Sequence, residues 1–399
     1  MGNVWLRVIT GAVVLPFGAA AMACTDSATG TPPLTGPVEW SVTEELRIGS
    51  LDDSATALSA VGSLAVDADG RIYVPQSASG SIRVFGADGR PLGTYGGSGD
   101  GPGEFRQITR IGIFADTLFV SDLAAGRITL FSLDGRVLET LSLTPRGLDE
   151  DWVPVVPWWL DGEGTAVALP GYLPTLRDPS VAYRVMLVRI DRAGEIVDTV
   201  ALTDRPPQLS IRLQGPFGAQ LTNQPFVTPF LPVISAHGSP VAVLGDPRTT
   251  SGRGGVLEVT VLRSLQDTVW SRTFSYEGLP LTESVVDRVV TEKVRRLSRE
   301  AFPDRDDAEG QIRAEMSLPD HVPPLSGGLF ADDGSLWLRR EDTGAEVQRW
   351  IVLDPQGVLV AEVVLPSSLK VEVVRYRSLW GVDTDELGVP YVVRYAIER

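Results

Sequence analysis

The chain has 399 residues, with 51 Asp and Glu against 35 Lys and Arg and a net charge of −16. That balance argues against nucleic acid as a partner, because phosphate neutralisation needs clustered cations. A single cysteine excludes an intramolecular disulfide, and 41 glycines with 29 prolines fit a protein of short strands and turns, in one large all-β domain or two ordinary ones.

Residues 1–23 carry Arg7, an apolar run over 8–20 and the small-residue end Ala21-Met22-Ala23, directly before Cys24. A positive segment, a short apolar core and small residues make an export signal. The core falls short of the roughly 20 apolar residues that a spanning helix needs. The cysteine at the end of this signal resembles a bacterial lipoprotein lipobox, in which it is lipidated and becomes the mature N-terminus. The sequence departs from that pattern at Ala21, where leucine is usual. Plain signal-peptidase cleavage after Ala23 is the alternative. Residues 24–37, small, polar and rich in Pro and Gly, predict a flexible tether.

Residues 38–399 predict a propeller. The segment 38–48 (VEWSVTEELRI) reads as a lone strand. The stretch 61–105 reads as four short strands, with Leu64/Val66, Ile72/Val74 and Ile82/Val84 alternating as in half-buried strands. Asp69-Gly70 and Asp88-Gly89 are tight turns, since glycine adopts positive φ without steric cost. A second four-stranded unit runs over 111–141, and looser ones follow over 155–202, 233–274 and 328–365. Three strands remain near the C-terminus, over 370–375, 378–382 and 389–397. With the lone N-terminal strand they complete a sixth blade and leave no open sheet edge.

The first two units and the connector 96–105 resemble the NHL repeat. The residues that carry this are Val66-Asp67-Ala68-Asp69-Gly70, Ile72-Tyr73-Val74, Phe119-Val120-Ser121-Asp122, Val84-Phe85 with Asp88-Gly89, and Gly101-Pro102-Gly103-Glu104-Phe105. Blade one departs by carrying Pro75-Gln76 where the repeat has an aspartate. The whole resembles the NHL-like, six-bladed propeller lipoproteins of bacteria. The fold expected is therefore an all-β, six-bladed propeller closed by the N-terminal strand.

Between blades four and five, about 277–324, sits a helical insert. Val286, Val289, Val290, Val294 and Leu297 recur at helical spacing over 283–301, and Pro303 ends the helix. A second short helix is expected near 306–316. The valine stripe is expected to cover the propeller face or the channel mouth, with a lid or docking element as the alternative.

Loop lengths locate the expected binding face. Every first-to-second and third-to-fourth strand turn is short, whereas all long segments fall at the opposite end of the sheets. Loops on a rigid scaffold concentrate function. On that elaborated face stand Arg106, Arg110, Trp158, Tyr172, Phe230, Arg340, Asp383 and Asp385, aromatic, arginine and acidic side chains of the kinds that anchor ligands. Arg110 opens the innermost strand of blade two at the channel mouth.

Catalytic and metal motifs are sparse. Only His237 and His321 exist, with no G-x-S-x-G to accompany either, so neither a serine triad nor a multi-histidine zinc site is expected. Beyond the leader the single asparagine is Asn223, so the mixed asparagine and carboxylate calcium site of gluconolactonase-like propellers cannot be assembled. A calcium held by carboxylates and carbonyls stays open, with Asp383-x-Asp385-Glu386 as its donors. No other cofactor is expected. The function expected is a non-catalytic module of the cell envelope that holds a protein, peptide or glycan, contacting the membrane only through its lipid. The alternative is an envelope hydrolase or lyase using carboxylates.

Overall fold

The computed structural model describes residues 31–59, 61–141, 145–153, 159–160, 165–172, 183–205, 210–226, 232–236, 238–245, 248–249, 254–298, 300–341 and 347–399. The protein is an all-β propeller. Its strands form antiparallel meanders of four, six of them among the described residues. The second is representative: Ile108–Phe114, Thr117–Asp122, Arg127–Ser132 and Val137–Leu141 pair in chain order.

The meanders pack face to face, and the period of two explains how. In meander five, Leu336 and Leu338 face the cluster shared with meander four, while Trp337 between them faces meander six. In meander two, Leu118 and Val120 face meander one, and Phe119 faces meander three. In meander one, Ile72 and Val74 face meander six and Tyr73 faces meander two. A smaller cluster around Val167, Leu187 and Val241 joins meanders three and four. Each sheet thus lies between two neighbours, so both faces of its second strand are buried, whereas the third strand of meander four, Gly254–Ser264, buries only alternate residues. Ile72, Tyr73 and Val74 are each 0% exposed. This corrects the half-buried reading of these strands: IYV, LFV and LWL are apolar throughout because neither face meets water. Burying each such side chain contributes about 1.5–3 kcal/mol.

The ring is fastened from outside by the N-terminal segment. Strand β1 (Glu39–Ile48) is the outermost strand of meander six, antiparallel to Pro390–Glu398 from Ser41 to Ile48. Its first residues pair in parallel with meander five, Glu39 with Glu362 and Trp40 with Val363. The contacts begin earlier still. Leu34 N donates to Ser275 O at 2.7 Å, and Leu34 is buried in the core between meanders four and five. Gly36 lies so close to the Ala361 backbone that a Cβ would meet it at 2.4 Å, which demands glycine. The stretch read as a tether is therefore docked from residue 32 onward. Leu34, apolar among small polar residues, supplies the anchor.

Two helices, α1 (Glu283–Arg296) and α2 (Arg305–Glu315), stand between meanders four and five. Asp304 caps α2 by accepting from Asp307 N. The valine stripe of α1 is not spent on the propeller face. Val286, Val290 and Val294 pack with Phe302, Ala308 and Ile312, and with Ile211 and Leu213 from a hairpin, Ser210–Gly215 and Gly218–Asn223. That hairpin comes from the connector before meander four, which reads as a loop in the sequence. Gln311 ties it to α2, accepting from Gln214 N at 2.7 Å and donating to Gln214 O at 3.1 Å. Helix pair and hairpin thus share a small core of their own. No helix of the described residues is long and apolar enough to cross a membrane.

Candidate functional site

Because each meander is antiparallel, its connections alternate between the two ends of the sheet. Turns such as Ala115-Asp116 and Tyr376-Arg377 join first to second strands at one end. The connectors between meanders, including both parts of the insert, lie at the other. The first strand of each meander therefore starts at the long-segment end and runs toward the short-turn end.

These first strands line a cavity of about 920 Å³. It draws on meanders one, two, four, five and six, with Leu64, Val66, Ile111, Ile113, Val233, Leu329, Val371 and Val373 as its apolar wall. Its size matches cavities that hold small ligands. Polar groups cluster at its two ends. At the short-turn end Arg375 Nε meets Asp332 Oδ2 at 3.3 Å, and Arg375 also donates to Val66 O at 3.1 Å. Asp332 in turn accepts from Tyr376 N at 2.9 Å. That charge is paired across meanders five, six and one, and it ties the three together.

At the long-segment end stand Arg110, Lys370 and Glu372. Both strands that carry them are irregular there. Ile108 pairs with Asp122 and Arg110 with Ser121, so Thr109 is an extra residue, and in the same way Glu372 is extra between Val371 and Val373. Such bulges bend a strand and re-aim its side chains. Lys370 Nζ lies 2.6 Å from Glu372 Oε1 and also donates to Gly62 O. Lys370 is 62% exposed at the mouth, while Glu372 is only 15% exposed in the wall. Burial raises the Glu372 pKa above its ordinary value, with Lys370 and Arg110 pulling against it. Burial lowers that of Arg110, which Glu372 opposes.

The remaining expected residues are placed as follows. Arg106 lies in the connector before meander two, 2.5 Å from Asp100 Oδ1 and exposed. Arg340 ends the second strand of meander five and pairs with Glu362 at 3.0 Å. Asp383 pairs with Arg47 at 2.8 Å; burial would raise its pKa, but bonds from Ser368 and Arg47 hold it below the ordinary value. Asp385 Oδ1 accepts Leu387 N and Val389 N, and Oδ2 accepts the Tyr391 hydroxyl, so its carboxylate builds a turn. The pair Asp383 and Asp385 is thereby engaged in ion pairing and turn capping. Among the described residues no three of His, Cys, Asp and Glu converge as a metal-holding group. Tyr172 stands in the short strand Gly171–Tyr172, backbone-paired with Trp152. Trp158, Phe230, His237 and Cys24 lie outside the described residues. His321 forms a backbone bridge with Pro280 that closes the base of the insert.

Of the expected residues, then, Arg110 lines the cavity. Lys370 and Glu372 were missed. The local signal is weak: KVEVVR sets charges among valines, but Val371 and Val373 line the cavity as well, so alternation alone does not mark which side chains face it.

A family model described as a 6-bladed beta-propeller matches residues 57–146, the first two meanders. Among solved structures, a protein of Bacteroides fragilis described as exported is similar over 91% of this chain and 99% of its own, with 11% identity and a TM-score of 0.46. A member of the duf4221 family from Bacteroides vulgatus covers 90% and 98%, with 11% identity and a TM-score of 0.48. The PQQ-bound aldose sugar dehydrogenase of Streptomyces coelicolor covers 91% and 100%, with 12% identity and a TM-score of 0.42. No curated protein sequence matches the chain.

Proposed function

We propose that the protein is an exported six-bladed propeller, lipid-anchored through Cys24 in the manner of NHL-like lipoproteins, that binds a protein, peptide or glycan of the cell envelope at the long-segment mouth of its channel. The observation that carries this reading is the cavity of about 920 Å³ with Arg110, Lys370 and Glu372 gathered at that one end. Rigid first strands hold these groups, so little ordering is needed on binding. Export and anchoring rest on residues 1–24. Cross-linking in native envelopes tests the proposal: Arg110→Ala is expected to weaken partner capture while leaving the melting temperature nearly unchanged. Equal capture by the variant refutes it, and a large loss of stability would make Arg110 structural.

A second reading is favoured by Glu372 alone. A carboxyl group held in a channel wall with its pKa raised is suited to proton donation. This is the hydrolase or lyase alternative. Turnover of a lactone or ester that Glu372→Gln abolishes would support it, and turnover unchanged by that substitution would remove it.

A further inference from the structure

The charged groups of the channel wall are engaged with one another, and the space between them is kept open. We infer that the cavity takes up a small uncharged molecule with a predominantly apolar body, aliphatic or aromatic. This inference rests on the reading of the channel as a binding cavity, but not on the macromolecule proposed for its mouth.

Two observations carry it. The first is a balance of charge. Among the described lining residues stand three cations, Arg110, Lys370 and Arg375, against three carboxylates, Asp116, Asp332 and Glu372. Lys370 pairs with Glu372 at 2.6 Å, and Arg375 with Asp332 at 3.3 Å. Arg110 and Glu372 attract one another as well, and Asp116 stands exposed at the short-turn rim. Lys370 and Arg375, at the two ends of one strand, also cap the Gly62 and Val66 carbonyls of meander one. Those backbone acceptors are thereby satisfied by the wall itself. A charged guest would lose its water shell and find the counter-charges of the wall already taken, which is costly. An uncharged apolar guest meets no such cost, and its burial against the isoleucine and valine wall is favourable.

The second observation is a glycine that only the open space explains. Gly327 lines the cavity within the first strand of meander five, Leu325–Phe330. It does not adopt positive φ, and a Cβ built on it meets nothing within 4 Å. Neither its backbone nor a neighbour demands glycine, although glycine weakens a strand interior. A side chain at 327 would stand in the channel. The preceding Ser326 is an extra residue in its strand, as Thr109 and Glu372 are in meanders two and six. Three first strands are thus irregular toward the long-segment end, and bulges of this kind are common beside functional sites.

The test is fluorescence titration of residues 24–399 carrying Cys24→Ser, so that no acyl chain competes for the cavity. The probe is N-phenyl-1-naphthylamine, an uncharged molecule that brightens in apolar surroundings. Saturable binding is expected, and 1-decanol should displace the probe at concentrations at least about tenfold lower than decanoate or decylammonium. Gly327→Leu is expected to weaken probe binding at least about tenfold with the Tm equal or higher, since it fills the channel and favours the strand. Damage to the fold would lower both, so these opposite signs separate blocking from unfolding. Glu372→Gln is expected to leave displacement by decanol unchanged and to improve that by decanoate, because Lys370 then lacks its carboxylate. Decanoate or decylammonium displacing the probe as well as decanol overturns the inference, as does native probe binding in Gly327→Leu. Absence of saturable probe binding overturns it too. Capture of the envelope partner by the native chain would then leave the mouth reading standing, and loss of both would remove the cavity reading as well.

Discussion

Asp122 ends the second strand of meander two, is 0% exposed, and accepts three backbone N–H groups: Arg106 at 2.9 Å, Gln107 at 3.0 Å and Ala125 at 3.1 Å. It thereby fixes both the connector entering the meander and the turn leaving its second strand. Hydrogen bonds to a charged acceptor contribute about 1.5–3 kcal/mol each. Three of them do not simply add, since the Asp122→Ala variant also sheds the desolvation cost of a buried carboxylate. Arg106 and Gln107 are exposed, so water replaces part of what their N–H groups lose. The net expected loss is about 3 kcal/mol, within the range for breaking a buried network. For a domain of this size that is a fall of roughly 4 °C in Tm. Asp122→Asn keeps the oxygen that serves Gln107 and Ala125, so it is expected to lose less than half as much. Thermal melts followed by near-UV circular dichroism measure both, and hydrogen exchange should accelerate first at the amides of residues 106, 107 and 125. An Asp122→Ala protein melting within about 1 °C of the native chain would refute the reasoning.

Glu372 gives a pH-dependent expectation. Its pKa is raised above the ordinary 4.5, so between 4.5 and the raised value the folded chain holds a proton that the unfolded chain has released, and stability falls as pH rises through that window. Glu372→Gln is therefore expected to raise the Tm at pH 7 and to leave it unchanged at pH 4. An equal shift at both would show that the carboxyl is not desolvated. Phe302→Ala, in the core shared by α1, α2 and the hairpin, is expected to cost about 3 kcal/mol and to expose that insert to limited proteolysis. If instead the meanders are cleaved first, the insert core is not separate from theirs. Cys24→Ser is expected to move the protein from the membrane fraction to the soluble one, and unchanged partitioning would end the lipoprotein reading.

What the sequence made legible follows from local physics. Strand alternation, the Asp-Gly corners and the pairing of the first strand with the last three are set by residues close in the chain or by the need to cover an edge. Gln76 shows the same logic at a departure from the repeat. It ends the second strand of meander one, and its Oε1 accepts Ser59 N at 2.8 Å, holding the incoming connector much as Asp122 does. The hairpin at 210–223 stayed hidden because only Ile211 and Leu213 face a core there, too few apolar positions to mark a period. Without it, the valines of α1 had no visible partner nearer than the propeller face. The site was legible by one residue. Arg110 stood out at the start of an inner strand, but Lys370 and Glu372 lie more than half the chain away, and ring closure brings them to the same mouth.

That closure carries a consequence for how the protein is made. Ser41 Oγ bonds to Glu398 Oε2 across 357 positions. Joining points so far apart in a flexible chain costs roughly 5 kcal/mol of chain entropy, a cost that falls only as the meanders between them form. Glu39–Ile48 must therefore wait for Pro390–Glu398, made about 350 residues later. Until the two meet, Glu39–Ile48 has no partner, Pro390–Glu398 has no outer neighbour, and the band that crosses meanders four to six is not closed. Proteins dominated by such distant pairings fold slowly and offer open edges to other chains meanwhile. A factor that shields residues 32–48 or that open edge would govern the yield of native protein without touching any finished sheet.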